Sequence, residues 1–164
     1  MNILSLDQAI RISGISVITL EEELIYHGLY KSPNDTKKKK YTQEEKIQLI
    51  LDKVEELIKE YDIDFVVFES VQKQVNVKTY GDLSILYGCL RQRLFQLGTV
   101  EYESLSPSVW RSTIGLKGKG RSVLKKKAQE FVKGKYGIDV SEDEADSISM
   151  GVAMVKKLKR RKIN

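Results

Sequence analysis

The spacing of apolar residues changes several times along the chain, and each change marks an element. Ile3-Leu4-Ser5-Leu6 is a short apolar run ending on Asp7, Gly14-Ile15-Ser16-Val17-Ile18 alternates, and Leu24 to Tyr30 is rich in strand formers. Alternation with β-branched and aromatic residues is what a pleated surface selects. The links between these segments are short, so they predict three strands joined as an antiparallel meander. Residues 31–40, with Ser-Pro-Asn-Asp and then Lys37 to Lys40, read as a solvated loop.

The period then becomes that of a helix. Thr42 and Glu45 have the spacing of a capping box, and Ile47, Ile50, Leu51, Val54, Leu57 and Ile58 share one face behind it. Phe65-Val66-Val67-Phe68 is apolar at every position, as in a strand covered on both faces, and it ends on Glu69. Leu83, Leu86, Leu90, Leu94 and Leu97 mark a second long helix, and Val100 to Glu103 a fifth strand. Ser106-Pro107 is a cap followed by proline at a first helical position, which opens a short helix.

After a loop rich in Gly and Lys at 115–121, Leu124, Ala128, Phe131 and Val132 face inward from a basic helix. Ser141 and Glu144 form another capping box, opening a last helix to about Leu158, and the basic end of the chain, 156–164, reads as frayed. The order βββ-α-β-α-β-α, with more helix at the end, predicts one α/β domain over residues 1–164. Its sheet is mixed and five-stranded, with three antiparallel leading strands, then strand–helix units, and helices on its faces.

Composition agrees with one domain. The 164 residues, 41% hydrophobic and 31% charged, suffice for one core but not two. A single cysteine, Cys89, and a single histidine, His27, exclude an internal disulfide and a structural zinc site. No apolar stretch has membrane-spanning length and the N-terminus does not read as a signal peptide, so the expectation is a cytoplasmic protein without a membrane partner. There are 28 Lys and Arg against 23 Asp and Glu. That excess is modest, so where the cations sit matters more than their sum.

The acids carry the sharper signal. Asp7 and Glu69 each sit directly after an apolar strand, where an ionised carboxylate needs a partner or a metal, and ligands of open sheets gather at the carboxyl ends of strands. Asp143 and Asp146 lie three apart in the first turn of the last helix and share a face. Taken alone, first-turn acids are explained by the helix dipole, and an Asp after a strand by a turn. Three such elements together are what point to a site. Asp7, Glu69, Asp143 and Asp146 offer only oxygen, which suits Mg2+, or Mn2+ in its place. Two such ions can clamp a phosphodiester for in-line displacement. Glu142 or Glu144 could replace Asp143 as a ligand.

Those residues in that order resemble the RuvC family of Holliday-junction resolvases. Ile3-Leu4-Ser5-Leu6-Asp7 with Ser13-Gly14-Ile15 is similar to the family's opening strand, acid and return strand. Phe65-Val66-Val67-Phe68-Glu69 is similar to its second acidic strand, and Asp143-Glu144-Ala145-Asp146-Ser147-Ile148 to its terminal acidic helix. Gly115 and the basic loop resemble the segment leading to a DNA-contacting lysine, whose place Arg121 takes. The resemblance implies a ribonuclease-H-like fold, a homodimer with two active sites facing a four-way junction, and paired nicks leaving 5′ phosphates. Two segments depart from the pattern. Gln8-Ala9 stands where the family has Pro-Gly, and Ser70-Val71-Gln72-Lys73 where it often has an aromatic probing the junction centre. The second departure predicts relaxed selectivity, extending to forks and flaps.

Lys117, Lys119, Arg121 and Lys125 begin a cationic stripe suited to phosphate contacts that position DNA without reading bases. Gly115 to Ser122 is one residue from a phosphate-binding loop, but no buried strand precedes it, so no nucleotide cofactor is expected. His27 reads as structural, Trp110 as core rather than a base-stacking platform, and Cys89 as buried. Two rivals share these features: a ribonuclease-H-like nuclease acting on RNA, and a non-catalytic DNA-binding module.

Overall fold

The computed structural model describes residues 1–73 and 76–161. Strands β1 (Asn2–Asp7), β2 (Ile12–Thr19) and β3 (Leu24–Lys31) come first. They are followed by helix α1 (Gln43–Glu60), β4 (Ile63–Glu69), α2 (Val77–Leu97), β5 (Glu101–Leu105), α3 (Pro107–Thr113), α4 (Arg121–Tyr136) and α5 (Glu142–Arg161). They form one mixed sheet of order β3-β2-β1-β4-β5. The three leading strands pair antiparallel, and β4 and β5 add parallel to β1. This is the predicted α/β architecture.

Strand periodicity sorts the side chains into two cores. Leu4, Leu6, Ile15, Val17, Val66 and Phe68 face one way and pack under α1 and α2. Ile3, Ile18, Phe65 and Val67 face the other way, under α3, α4 and α5. Alternate residues share a face, so Asp7 continues the row of Ile3 and Ser5, and Glu69 that of Phe65 and Val67. Both acids therefore emerge on the α5 side, at the carboxyl edge of two adjacent parallel strands.

Helix α5 lies close over that face, packing across β2, β1, β3 and β4. Small residues permit this. A Cβ on Gly151 would come within 2.7 Å of Ile18 Cδ1 and 3.3 Å of Ser5 Cβ. The Ser5 hydroxyl donates to the Ser147 carbonyl at 2.7 Å. Residues Ala145 to Val155 of the helix, and Leu158, are buried.

Several local expectations need adjusting. Asp7 and Glu69 are the last residues of their strands rather than the residues after them. Helix α5 continues past Leu158 to Arg161, because Lys157 and Arg161 both pair with Glu103 on β5. The expected frayed tail therefore does not include 156–161, and its last residues, 162–164, lie outside the described residues. Cys89 is half-buried, not buried. Among the described residues, no helix is long and apolar enough to cross a membrane.

Candidate active site

Leu6 pairs with Phe68 across the β1–β4 ladder, so Asp7 and Glu69 leave the sheet side by side. Gln8 holds the two ends together. Its side-chain Nε2 donates to the Glu69 carbonyl at 2.5 Å, and its Oε1 accepts from the Glu69 N–H at 3.1 Å. A buried amide side chain thus extends the ladder beyond the last backbone pair. This is what replaces the Pro-Gly turn of the family pattern, and nothing in the local sequence announced it.

The third acidic element is set down on the same edge by α5. Ser141 and Glu144 make the expected capping box: Ser141 Oγ accepts from the Glu144 N–H at 3.3 Å, and a Glu144 oxygen accepts from the Ser141 N–H at 3.1 Å. The first turn then abuts β2 at Gly14, the residue paired with Asp7. A Cβ at Gly14 would lie 1.9 Å from the Asp143 carbonyl oxygen. Only glycine lets the start of α5 come this close to the strand beside Asp7.

Asp7, Glu69, Asp143 and Asp146 consequently line one cavity of about 440 Å³, with Gln8, Arg111, Arg121 and Lys125 in its walls. Burial pushes the Asp7 carboxyl well above its usual range, and Glu69, Asp146 and Asp143 push it further, against Lys125. Asp146 is pushed up to about 6, first by burial; Arg111 and Lys125 oppose the shift, while Glu69 and Asp143 add to it. Glu69 is raised by burial too, opposed by a hydrogen bond from Trp110 and by Arg111, Arg121 and Lys125.

The acids are not drawn into a closed cluster: among the described residues no three acidic, His or Cys side chains stand at metal-ligand spacing. Like charges repel, and most of these acids have turned to a cation or donor instead. Trp110 Nε1 donates to Glu69 Oε2 at 2.9 Å. Lys125 Nζ lies 3.5 Å from Asp143 Oδ1, and Arg111 lies 3.9 Å from Asp146 Oδ2.

Glu142 and Glu144, the alternatives to Asp143, are engaged elsewhere. Glu142 pairs with Lys125 at 2.7 Å. Glu144 accepts from the Ser141 hydroxyl at 2.7 Å and meets His27 Nδ1 at 2.9 Å, which gives His27 the structural role expected of it. Trp110 is fully buried as expected, yet it also reaches the site. Arg111, unremarked in the sequence, stacks over the Trp110 ring at 4.6 Å. Of the expected DNA-contacting cations, Arg121 and Lys125 line the carboxylate cavity, Lys117 lines an adjoining one with Arg111, and Lys119 is exposed between them. Lys125 is committed to acids, so its charge is spent within the site.

A divalent cation fits this donor set by its chemistry. The four side chains offer only oxygen, burial and mutual repulsion disfavour their ionisation without a counter-charge, and Asp146 Oδ1 is buried with no hydrogen-bond partner among the described residues.

Sheet order and helix layers define a ribonuclease-H-like fold, one that solved structures of junction resolvases share. Solved structures of that class match nearly the whole chain. RuvC from Thermus thermophilus in complex with Holliday junction substrate matches with a TM-score of 0.78 at 14% identity, covering 98% of this chain and 96% of that one. The yeast mitochondrial Holliday junction resolvase Ydc2 matches at 0.62 and 15% identity, covering 97% and 80%. Fowlpox virus resolvase, in complex with Holliday junction DNA, matches at 0.60 and 16% identity, covering 96% and 99%. No family model and no curated protein sequence matches the chain. The resemblance noted in the sequence thus holds at the level of the fold.

Proposed function

We propose that this chain is a divalent-metal-dependent endonuclease that cuts branched DNA, four-way junctions above all, as a single-domain enzyme of the cytoplasm serving recombination and repair. The observation that carries this reading is the convergence of four carboxylates, from two strand ends and one helix start, on a single cavity flanked by Arg111, Arg121 and Lys125. A non-catalytic module would have no use for acids buried against their own repulsion.

Asp7, Glu69, Asp143 and Asp146 would hold magnesium, or manganese in its place, two ions to each site, and these supply Lewis-acid stabilisation of charge on the scissile phosphate. The chain's own groups do the rest. Trp110 ties one oxygen of Glu69, so the other would be the one to meet a metal. Gln8 keeps the β1 and β4 ends in register. Arg121 meets the phosphate beside the cavity, and Lys117 and Lys119 steady the flanking backbone. Lys125 and Arg111 balance the acids until substrate and metal arrive.

A homodimer places two such sites on one junction for paired nicks that leave 5′ phosphates. The outer face of α2 favours self-association: Val77, Tyr80, Ile85 and Phe95 are all exposed there, Phe95 at 71%. The stretch from Ser70 to Lys73 has no aromatic to insert at a junction centre, which favours activity on forks and flaps as well.

The test is a substrate panel with magnesium: four-way junction, fork, flap, linear duplex and RNA–DNA hybrid. Nicking of the branched DNAs well ahead of linear duplex is expected. Cleavage confined to the RNA strand of the hybrid would transfer the assignment to an RNA nuclease, and tight binding without nicking would leave a binding module.

A further inference from the structure

The carboxylate cavity is not the only concavity on this edge of the sheet, and its neighbour is cationic. A second one, of about 600 Å³, opens where β2 begins and β3 ends, with Arg11, Lys31, Ser32, Asn34 and Lys46 in its walls. Ile12 lines both cavities, so the two adjoin. Backbone pairing fixes the cations in place. Ile12 and Lys31 are register partners, and the Ser32 N–H donates to the Arg11 carbonyl at 2.9 Å. The Ser32 hydroxyl also donates to the Ile10 carbonyl.

The charges here are largely uncommitted. Lys46 pairs with Asp35 at 3.3 Å, but Arg11 and Lys31 take part in no ion pair among the described residues. Lys37 to Lys40 extend the positive surface outward along the exposed loop between β3 and α1. These cations come from three segments, the β1–β2 turn, the end of β3 and α1, and are spread along an open groove rather than converged on one point. That arrangement suits successive phosphates of a polymer better than a single small anion. It lies at the β2–β3 end of the strand order, whereas α3 and the 117–121 loop follow β5 at the other end.

We propose that this groove is a second backbone track, gripping the sugar-phosphate chain of a duplex DNA arm as it leaves the carboxylate cavity on the β2–β3 side. The inference rests on the branched-DNA reading above and adds to it the path of one arm. Arg11 and Lys31 are its principal phosphate contacts, with Lys46 and the 37–40 lysines contributing further out.

The test uses the full chain and a synthetic four-way junction, with affinity measured over a series of salt concentrations. Arg11→Ala combined with Lys31→Ala is expected to reduce the steepness of the log-affinity against log-salt line by about two, with roughly ten-fold weaker binding at low salt. Lys59→Ala, which removes a charge from the far end of α1, should leave both unchanged. Lys31→Gln alone, a milder change at a strand end, should reduce the steepness by about one. Melting temperatures matching wild type establish that the variants are folded. A folded double variant with wild-type affinity and salt slope would overturn the track while leaving the nuclease reading intact. A wild-type chain that binds no junction at all would instead remove the reading beneath it.

Discussion

Replacing Gly14 by alanine adds one methyl group at the point where the fold and the candidate site meet. The new Cβ would lie 1.9 Å from the Asp143 carbonyl oxygen, 2.4 Å from its carbonyl carbon and 3.0 Å from the Glu144 nitrogen. All three obstacles are backbone, so no side chain can rotate away. Relieving the closest approach from 1.9 Å to 3.0 Å requires the start of α5 to retreat by about 1.1 Å. Asp7 stays with the sheet while Asp143 and Asp146 move with the helix, so the four carboxylates separate into two pairs. A misplacement of about 1 Å in catalytic groups costs on the order of 100-fold in rate. Overpacking of this kind also costs about 1–3 kcal/mol of stability, or roughly 4–8 °C in melting temperature for about 2 kcal/mol in a domain of this size. Nicking of a four-way junction should therefore fall about 100-fold, while junction binding, carried by cations on other elements, changes little. A Gly14→Ala protein with wild-type nicking and melting would refute the claim that this contact positions the acids.

Other consequences follow from single contacts. Trp110→Phe keeps the ring but removes the donor to Glu69, so affinity for Mn2+ measured by titration calorimetry should drop about 10- to 100-fold, as for other partners of metal-ligating groups; unchanged affinity would show that the hydrogen bond positions nothing. Gln8→Leu strips the partners from the Glu69 N–H and carbonyl, at a cost of about 1–3 kcal/mol for each group left buried and unpaired; a melting temperature equal to wild type would contradict the clamp. Asp146 has a folded-state carboxyl raised to about 6 from an ordinary 3.8, so the folded chain holds that proton more tightly than the unfolded one. Its contribution is favourable below about pH 4 and is lost as pH rises towards 6, an amount on the order of 3 kcal/mol. Without divalent metal, wild type should therefore lose stability relative to Asp146→Asn across that window, and magnesium should restore it at neutral pH. A stability difference independent of pH would refute the buried-carboxylate account.

Local patterns were legible and long-range ones were not. Thr42 and Glu45 make the capping box their spacing announced, and the six apolar residues assigned to the inner face of α1 are all buried. The alternation of Ile3, Ser5 and Asp7 against Leu4 and Leu6 already carried the information that Asp7 shares a face with the small residues under α5. What a one-dimensional pattern does not contain is the partner of each charge. Glu142 and Glu144 looked equivalent to Asp143 until Lys125 and His27 claimed them. Trp110 was legible as core because an indole in a short amphipathic helix is usually buried, but its donor found Glu69 only through the parallel packing of β4 and β5. Arg111 escaped notice for the same reason, and Gln8 was noted only as a departure from the family's Pro-Gly, not as a clamp on Glu69. Each is an ordinary polar residue made important by neighbours distant in sequence. Gly14 did leave a signal: it sits in the strand that returns beside Asp7, where loss of a side chain is unfavourable without a close neighbour to accommodate.

The central claim is that Asp7, Glu69, Asp143 and Asp146 act together, with divalent metal, to cut branched DNA. Single-turnover nicking of a labelled four-way junction, with magnesium or with chelator, for wild type and Asp7→Asn, tests it most directly. Nicking by wild type with magnesium alone is predicted, together with an Asp7→Asn protein that binds the junction as tightly and leaves it whole. Equal nicking by the two proteins, or nicking undiminished by chelator, would contradict the account.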